Sequence, residues 1–475
     1  MADDLPELIM EELNVDVDVH PLLQDALGTS AHNFDIDAGD NEGHPITNQP
    51  TRSPAPPPPA PPRSSLRLTM SITKPGAIEK LRRKAKSRLR RDWRRQNTPL
   101  PALPLKYRPR SSAVKRHARL CFIKGVLDVS KLPAGIWVGK RRRTTEDGKP
   151  KRPWTLPDLK TEGFRTEKWN GQDPRVLLDS EGRLIAVLAG RPADLDWDNV
   201  VANVDAAMVH ARLTGKRDEV FPKRPEDNEH RRGIFSAIPS GVSFGGGQTR
   251  PGNLSHPPKK QAIINELLSN EDVQRVAGFQ SSCLGFYFPK VYEDYACNLY
   301  PLYEAHPHLQ TNFPDISIYP ACTFNLGPLT ATLEHTDAAN VPYGLCAITA
   351  FGDFDPEKGG HLILFDLKLV IEFPPGSTIL IPSSILRHGN TPIVGEGAGS
   401  YRMSLTQYCA GGLFRWVSYG FKTAKTLLSE PGGEERKRAI DGNLSDRTAA
   451  ALELFSTVET LADDREAVFG KSFRN

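Results

Sequence analysis

A histidine and an aspartate stand two residues apart in Glu334-His335-Thr336-Asp337, and a second histidine, His388, follows 51 residues after the aspartate. Two imidazoles and one carboxylate are the ligand set that holds non-haem Fe(II) while leaving positions open for a co-substrate and O2. Zinc can use the same ligand types with water in the open position. Fourteen residues beyond His388 come Arg402 and Ser404, again two apart. On a strand that spacing puts both side chains on one face. Arginine offers a planar fork to a carboxylate and serine adds a hydroxyl donor. The pair therefore suits the far carboxylate of a dicarboxylic acid that chelates iron through its 2-oxo acid end, which favours an oxygenase over a zinc hydrolase. His361, after Gly359-Gly360, competes with His388 as second histidine, but the strand it opens has no Arg-x-Ser at a suitable distance.

Such residues need a scaffold of short strands. Beyond Pro314 the chain reads as strands over Ile316–Leu326, Thr330–His335, Leu345–Phe351, His361–Phe373, Thr378–Ile381 and Tyr401–Cys409, separated by turns such as Gly352-Asp353 and Pro374-Pro375-Gly376. That spacing predicts an antiparallel sandwich or barrel. Upstream, Val176–Asp179 and Arg183–Leu188 flank Ser180-Glu181-Gly182 as a hairpin. Residues 197–214 read as a helix, 238–258 as a glycine- and proline-rich loop, 259–310 as one or two helices, and the last 35 residues as helical. Gly241-Val242-Ser243-Phe244-Gly245 matches the serine-hydrolase elbow, but the glycine- and proline-rich run behind it cannot start the helix that elbow requires.

The 475 residues are 38% hydrophobic and 25% charged, enough for one sizeable core. Charge is unevenly spread. Residues 1–50 hold 12 Asp/Glu and no Lys/Arg, whereas 51–160 hold 30 Lys/Arg against 6 Asp/Glu. Seven of the twelve residues from Thr51 to Pro62 are proline, which favours an extended chain without a core. Residues 76–96 read as a basic helix, and Lys140-Arg141-Arg142-Arg143 and Lys149–Arg152 add two basic clusters, the composition of nuclear targeting signals and of phosphate-contacting arms. The six cysteines form no CxxC pair, the start has no signal-peptide pattern, and no run of 18 uncharged apolar residues occurs. The expectation is a soluble nuclear protein with no membrane segment.

His-x-Asp, a distal His and then Arg-x-Ser, in this order inside an all-β stretch, resembles the Fe(II)/2-oxoglutarate-dependent dioxygenases. Within them it resembles the TET/JBP family of nucleic-acid base oxygenases, over roughly residues 150–425. The resemblance implies an α+β protein with a double-stranded β-helix (jelly-roll) catalytic core and flanking helices, and the composition of residues 1–75 adds a disordered N-terminal tail. It implies Fe(II) on His335, Asp337 and His388, 2-oxoglutarate on Arg402 and Ser404, and O2 as second co-substrate. Asn340, three after the metal Asp, would touch the flipped base, and Tyr408, six after the Arg, would stack on it. Asn325 is placed beside them. The histidine often found two positions beyond the aromatic residue is replaced by Ala410, which bears on base identity. The expected organisation is an acidic, proline-rich tail (1–75), a basic region contacting nucleic acid (76–153), the N-terminal part of the oxygenase domain (154–315), the β-helix core (316–425) and a helical tail (426–475). The expected activity is oxidation of a methylated base, first of all 5-methylcytosine in DNA. Two alternatives stand beside it: the same chemistry on a protein or small molecule, and a non-catalytic β-sandwich that binds nucleic acid. Apolar clusters in the acidic tail could dock on a protein partner.

Overall fold

A computed structural model of the chain describes residues 10–18, 117–140 (except 126 and 133), 152–393 (except 223, 225, 226, 228 and 231) and 399–469. The expected basic helix over 76–96, the proline-rich run and most of the two later basic clusters lie outside these residues. The fold is mixed α+β with large antiparallel sheets. Its strands are β1 (Met10–Asp18), β2 (His117–Lys124), β3 (Arg165–Glu167), β4 (Arg175–Leu178), β5 (Leu184–Gly190), β6 (Glu229–His230), β7 (Gly233–Ile234) and β8 (Ser236–Ser243). They continue as β9 (Gly252–Asn253), β10 (Ala321–Gly327), β11 (Cys346–Asp353), β12 (Leu362–Leu364), β13 (Leu369–Ile371), β14 (Thr378–Ile381), β15 (His388–Asn390) and β16 (Tyr401–Tyr408). The helices are α1 (Leu156–Thr161), α2 (Trp197–Arg217), α3 (Pro258–Ser269), α4 (Glu271–Tyr287), α5 (Pro289–Ala305), α6 (Gly411–Ser418) and the C-terminal α7 (Ala424–Leu428), α8 (Gly433–Asp441), α9 (Leu444–Leu452) and α10 (Leu461–Phe469).

Ten strands form one sheet in the order β1-β2-β4-β5-β14-β11-β16-β10-β8-β9, and four form a second in the order β15-β12-β13-β3. From β10 onward the chain passes back and forth between the two. Strands β10, β11, β14 and β16 belong to the large sheet, and β12, β13 and β15 to the small one. One face of the large sheet is covered by helices. Gln280 of α4 donates to the Leu405 carbonyl (3.0 Å) and to Thr349 Oγ1 (2.8 Å), and Gln407 donates to the Ala277 carbonyl (3.0 Å). The helix begins where Asn270 caps the amides of Asp272 and Val273, with two acidic residues in its first turn. Because side chains alternate across a strand, Met403, Leu405 and Gln407 meet the helices while Arg402, Ser404, Thr406 and Tyr408 face the other way. No described helix is long and apolar enough to cross a membrane.

Several sequence expectations are corrected. Thr330–His335 is extended chain held by single bridges, at Leu329 to Arg402 and at His335 to His388, rather than a laddered strand. The first core strand begins at Ala321, because Phe313–Ile316 closes a turn with the Ile316 amide on the Phe313 carbonyl. His361–Phe373 is broken at Phe365–Leu367 by a 3-10 turn that closes on the left-handed Lys368, so it makes the β12–β13 hairpin. The 238–258 stretch contains the largely buried strand β8, paired along β10. Pro239 is tolerated there because β9 pairs only with Val242 and Ser243, leaving the outer side at Pro239 without a ladder. The 259–310 region holds three helices. Residues 10–18, inside the expected tail, pair with β2, and the alternation Leu13, Val15, Val17 against Asn14, Asp16, Asp18 is the local signal for it.

Candidate metal centre

His335 and His388 come from different segments and are brought opposite each other by paired backbone hydrogen bonds. The His335 amide donates to the His388 carbonyl (3.0 Å) and the His388 amide to that of His335 (2.9 Å). The two rings stand 4.2 Å apart between centroids. Asp337 follows as the chain turns, its amide on the Ser383 carbonyl (2.9 Å). Its carboxylate reaches both rings, Oδ1 at 3.6 Å from His335 Nε2 and Oδ2 at 3.7 Å from His388 Nε2. The ligand atoms of all three lie within 4.8 Å of one another, and all three residues are buried. Nδ1 of His335 donates to the Leu333 carbonyl (2.7 Å) and Nδ1 of His388 to the Leu386 carbonyl (2.9 Å). Those bonds fix the tautomers, so that each Nε2 lone pair points at the shared space, as in metal-ligating histidines. Burial, and then the neighbouring His388, hold His335 well below the ordinary imidazole range, which keeps it in the neutral form a metal requires. The three residues fit a cation.

The segment that leads to His335 is tied to β16, with Leu329 bridged to Arg402 and the Thr330 amide on the Arg402 carbonyl (3.3 Å). Arg402 is 1% exposed; its NH1 donates to the Thr330 carbonyl (3.3 Å), and the guanidinium lies 5.7 and 6.0 Å from the rings of Phe373 and Phe354. Its Nε is buried without a partner, and burial pushes its pKa down to about 10. Among the described residues no carboxylate forms an ion pair with it. Ser404 pairs across strands with Asn325, whose Nδ2 donates to the serine Oγ (2.9 Å) while its Oδ1 is buried without a partner. Thr330 Oγ1 is in the same condition. His361 does not join the metal cluster. It is fully buried, and burial pushes its pKa down to about 4, with a smaller contribution from the Arg402 charge; Nδ1 bonds Thr391 Oγ1 (2.9 Å) and Nε2 is buried without a partner. Gly360 before it adopts φ +73°, and a Cβ there would stand 2.7 Å from the Phe354 ring and 3.1 Å from Arg402 Cδ. A buried cation ringed by unsatisfied polar atoms fits an anionic, multiply hydrogen-bonding ligand.

The two residues expected to meet the base, Asn340 and Tyr408, are both buried. Asn340 is buried, with its amide on the Asp337 carbonyl (3.0 Å), its Nδ2 3.5 Å from Ser383 Oγ and its Oδ1 without a partner. Tyr408, 2% exposed, shares a hydrogen bond between its hydroxyl and Thr323 Oγ1. The segment 134–140 straps this region. The Gly139 amide donates to the Asn340 carbonyl (3.3 Å), and Thr336 Oγ1 donates to the Lys140 carbonyl (3.4 Å). The sequence reading missed Thr330 and the place of His361 beside Arg402; a lone histidine opening an apolar strand was the available signal for the latter.

No family model matches this chain, and no curated protein matches it. Among solved structures, one of NgTET1 in complex with 5mC DNA is similar at 15% identity and a TM-score of 0.32, covering 54% of this chain and 88% of that one. At those values the likeness carries neither fold nor function, and the centre must be read from its own geometry.

Proposed function

We propose that this chain is an Fe(II)/2-oxoglutarate-dependent dioxygenase that oxidises a methylated base, first of all 5-methylcytosine in DNA. The observation that carries this reading is a closed His-Asp-His cluster together with a buried guanidinium, Arg402, that donates to the segment leading to His335 and that no carboxylate among the described residues neutralises. The passage of the chain between the two sheets from β10 to β16 is read as the winding of a double-stranded β-helix. His335, Asp337 and His388 would hold Fe(II). Arg402 and Ser404, with His361 alongside, would hold 2-oxoglutarate. Together these groups would supply the power to oxidise a methyl group with O2 while 2-oxoglutarate becomes succinate and CO2. The chain's own part is to orient and to keep water out. The Nδ1 bonds hold both rings, the Arg402 fork fixes the far carboxylate, and burial of every ligand strengthens those contacts.

The nucleic-acid part rests on the TET/JBP-like order of motifs and on the 51–160 segment, whose charge calls for a polyanion and whose affinity would fall steeply with salt. A base inside a duplex cannot reach a buried centre, so the nucleotide would be flipped or single-stranded. Asn340 Oδ1 is an acceptor for an exocyclic amino group, and Tyr408 is the candidate stacking ring, worth ~1–3 kcal/mol. Nuclear localisation belongs to the same proposal. The test is anaerobic loading with Fe(II) and 2-oxoglutarate, addition of O2 and methylated DNA, and mass spectrometry of the nucleosides. An oxidised base that disappears in Arg402→Met supports the reading. Succinate without any oxidised nucleoside contradicts its nucleic-acid part, and no succinate from folded, iron-loaded protein contradicts the oxygenase.

A further inference from the structure

We infer that Arg387 is a positioning residue of the metal centre, clamping the two histidine-bearing segments together from outside; this rests on the metal reading above. In extended chain consecutive side chains point to opposite sides. With His335 and His388 turned inward, the residues just before them, Glu334 and Arg387, are turned away from the cluster. They meet there, Arg387 NH1 on Glu334 Oε1 at 2.7 Å. Long side chains can make this contact across diagonal positions of an antiparallel bridge.

Arg387 also reaches a third segment. Its Nε donates to Asp366 Oδ1 (2.9 Å) and its own amide to Asp366 Oδ2 (2.7 Å), while the Phe365 amide donates to the Arg387 carbonyl (3.0 Å). Asp366 sits on the 3-10 turn between β12 and β13. The side chains of Glu334 and Asp366 are only 9% and 5% exposed, so solvent and salt screen these contacts less than those of a surface pair. The same two segments are also tied by the two backbone bonds of the His335–His388 bridge, by the Asn390 amide on the Thr332 carbonyl (3.0 Å) and by Thr332 Oγ1 on Asn390 Oδ1 (2.7 Å), none of which reaches the turn that carries Asp366. Removing Arg387 would leave two shielded carboxylates facing each other with no cation between them. Their repulsion would act on the residues adjacent to both ligands, so the separation of the two Nε2 atoms would no longer be fixed before metal arrives.

The test uses the full chain, stripped of metal and titrated with Co(II), with the visible ligand-field spectrum reporting occupancy and geometry. Arg387→Met should weaken Co(II) binding by about 10- to 100-fold, the range for loss of an outer partner of a metal ligand, and should alter the spectrum. Arg387→Lys, which keeps the charge without the fork, should recover part of the affinity. The control is Arg183→Met, which breaks a comparable cluster with Asp128 and Asp179 elsewhere; it should lower the melting temperature while leaving Co(II) affinity and spectrum unchanged. Wild-type Co(II) affinity in folded Arg387→Met overturns the clamp alone. A wild-type protein that binds no Co(II), or binds it equally after His388→Ala, overturns the metal reading and the clamp with it. If Arg387→Met does not fold, Arg387→Gln makes the same test, since it removes the cation between Glu334 and Asp366 and keeps a hydrogen-bond donor at the position.

Discussion

Two arginines among the described residues are almost wholly buried, and their surroundings differ. Arg402 on β16 is 1% exposed and Arg465 on α10 is 2% exposed, and burial pushes both down to about 10. Both keep buried nitrogens without partners. Arg465 stacks 4.2 Å from the Phe286 ring in the helical layer, a close cation–π contact that gives a structural reason for its place. Arg402 lies farther from its rings, donates to the carbonyl of Thr330, acts through its charge on His361, and shares its strand face with Ser404. Asn325, the partner of Ser404, keeps an unsatisfied oxygen, and Thr330 and His361 each keep an unsatisfied polar atom. Thr330 lies five residues before His335 of the metal-ligand cluster. A buried cation is therefore not a site by itself. The company of unpaired polar groups and metal ligands separates a guanidinium awaiting an anion from one packed against an aromatic ring.

The contrast can be broken most forcefully at the cluster. His388→Ala should weaken metal binding by more than the ~100-fold that loss of an outer partner alone can cost, abolish 2-oxoglutarate turnover, and leave DNA binding intact; retained metal affinity would remove His388 from the centre. Next comes Arg402→Met. It should weaken 2-oxoglutarate binding by about 2–5 kcal/mol, roughly 30- to 4,000-fold. In the ligand-free protein the same change should leave the melting temperature equal or higher, because an unpaired buried charge is replaced by an apolar chain. Acid provides a third test. His361 is pushed from 6.5 to about 4 in the folded protein, so between those values the unfolded chain binds the extra proton and stability falls as pH falls. That window should cost about 3 kcal/mol for this group, and His361→Asn should flatten the urea-unfolding free energy across it. The smallest effect is expected at the other arginine: Arg465→Met should change stability by no more than about 2 kcal/mol and leave 2-oxoglutarate affinity unchanged.

What the sequence disclosed follows from how local each signal is. His335 and Asp337, like Arg402 and Ser404, carry their geometry in a two-residue spacing, and Thr378–Ile381 is an apolar run between a Pro-Pro-Gly turn and a proline, so its strand was readable to the residue. His361 was readable as a histidine but not as a neighbour of Arg402, because 41 residues of chain and the β12–β13 hairpin bring them together. Thr330–His335 has the β-branched composition of a strand, yet it lies outside the ladders, bridged only at its ends. Strand β8 was hidden by Pro239 and Gly241, residues that ordinarily end strands and are accommodated here by the lack of an outer partner. The Glu334–Arg387–Asp366 clamp joins three segments, and no single window of sequence contains it.

The most direct test of the central claim is calorimetric titration of 2-oxoglutarate into the Mn(II)-loaded protein without O2, run in parallel on wild type, Arg402→Met and Arg465→Met. Saturable, metal-dependent binding is expected for wild type and Arg465→Met, and its loss in Arg402→Met. Absence of binding to the wild type, or equal binding by Arg402→Met, would contradict that claim.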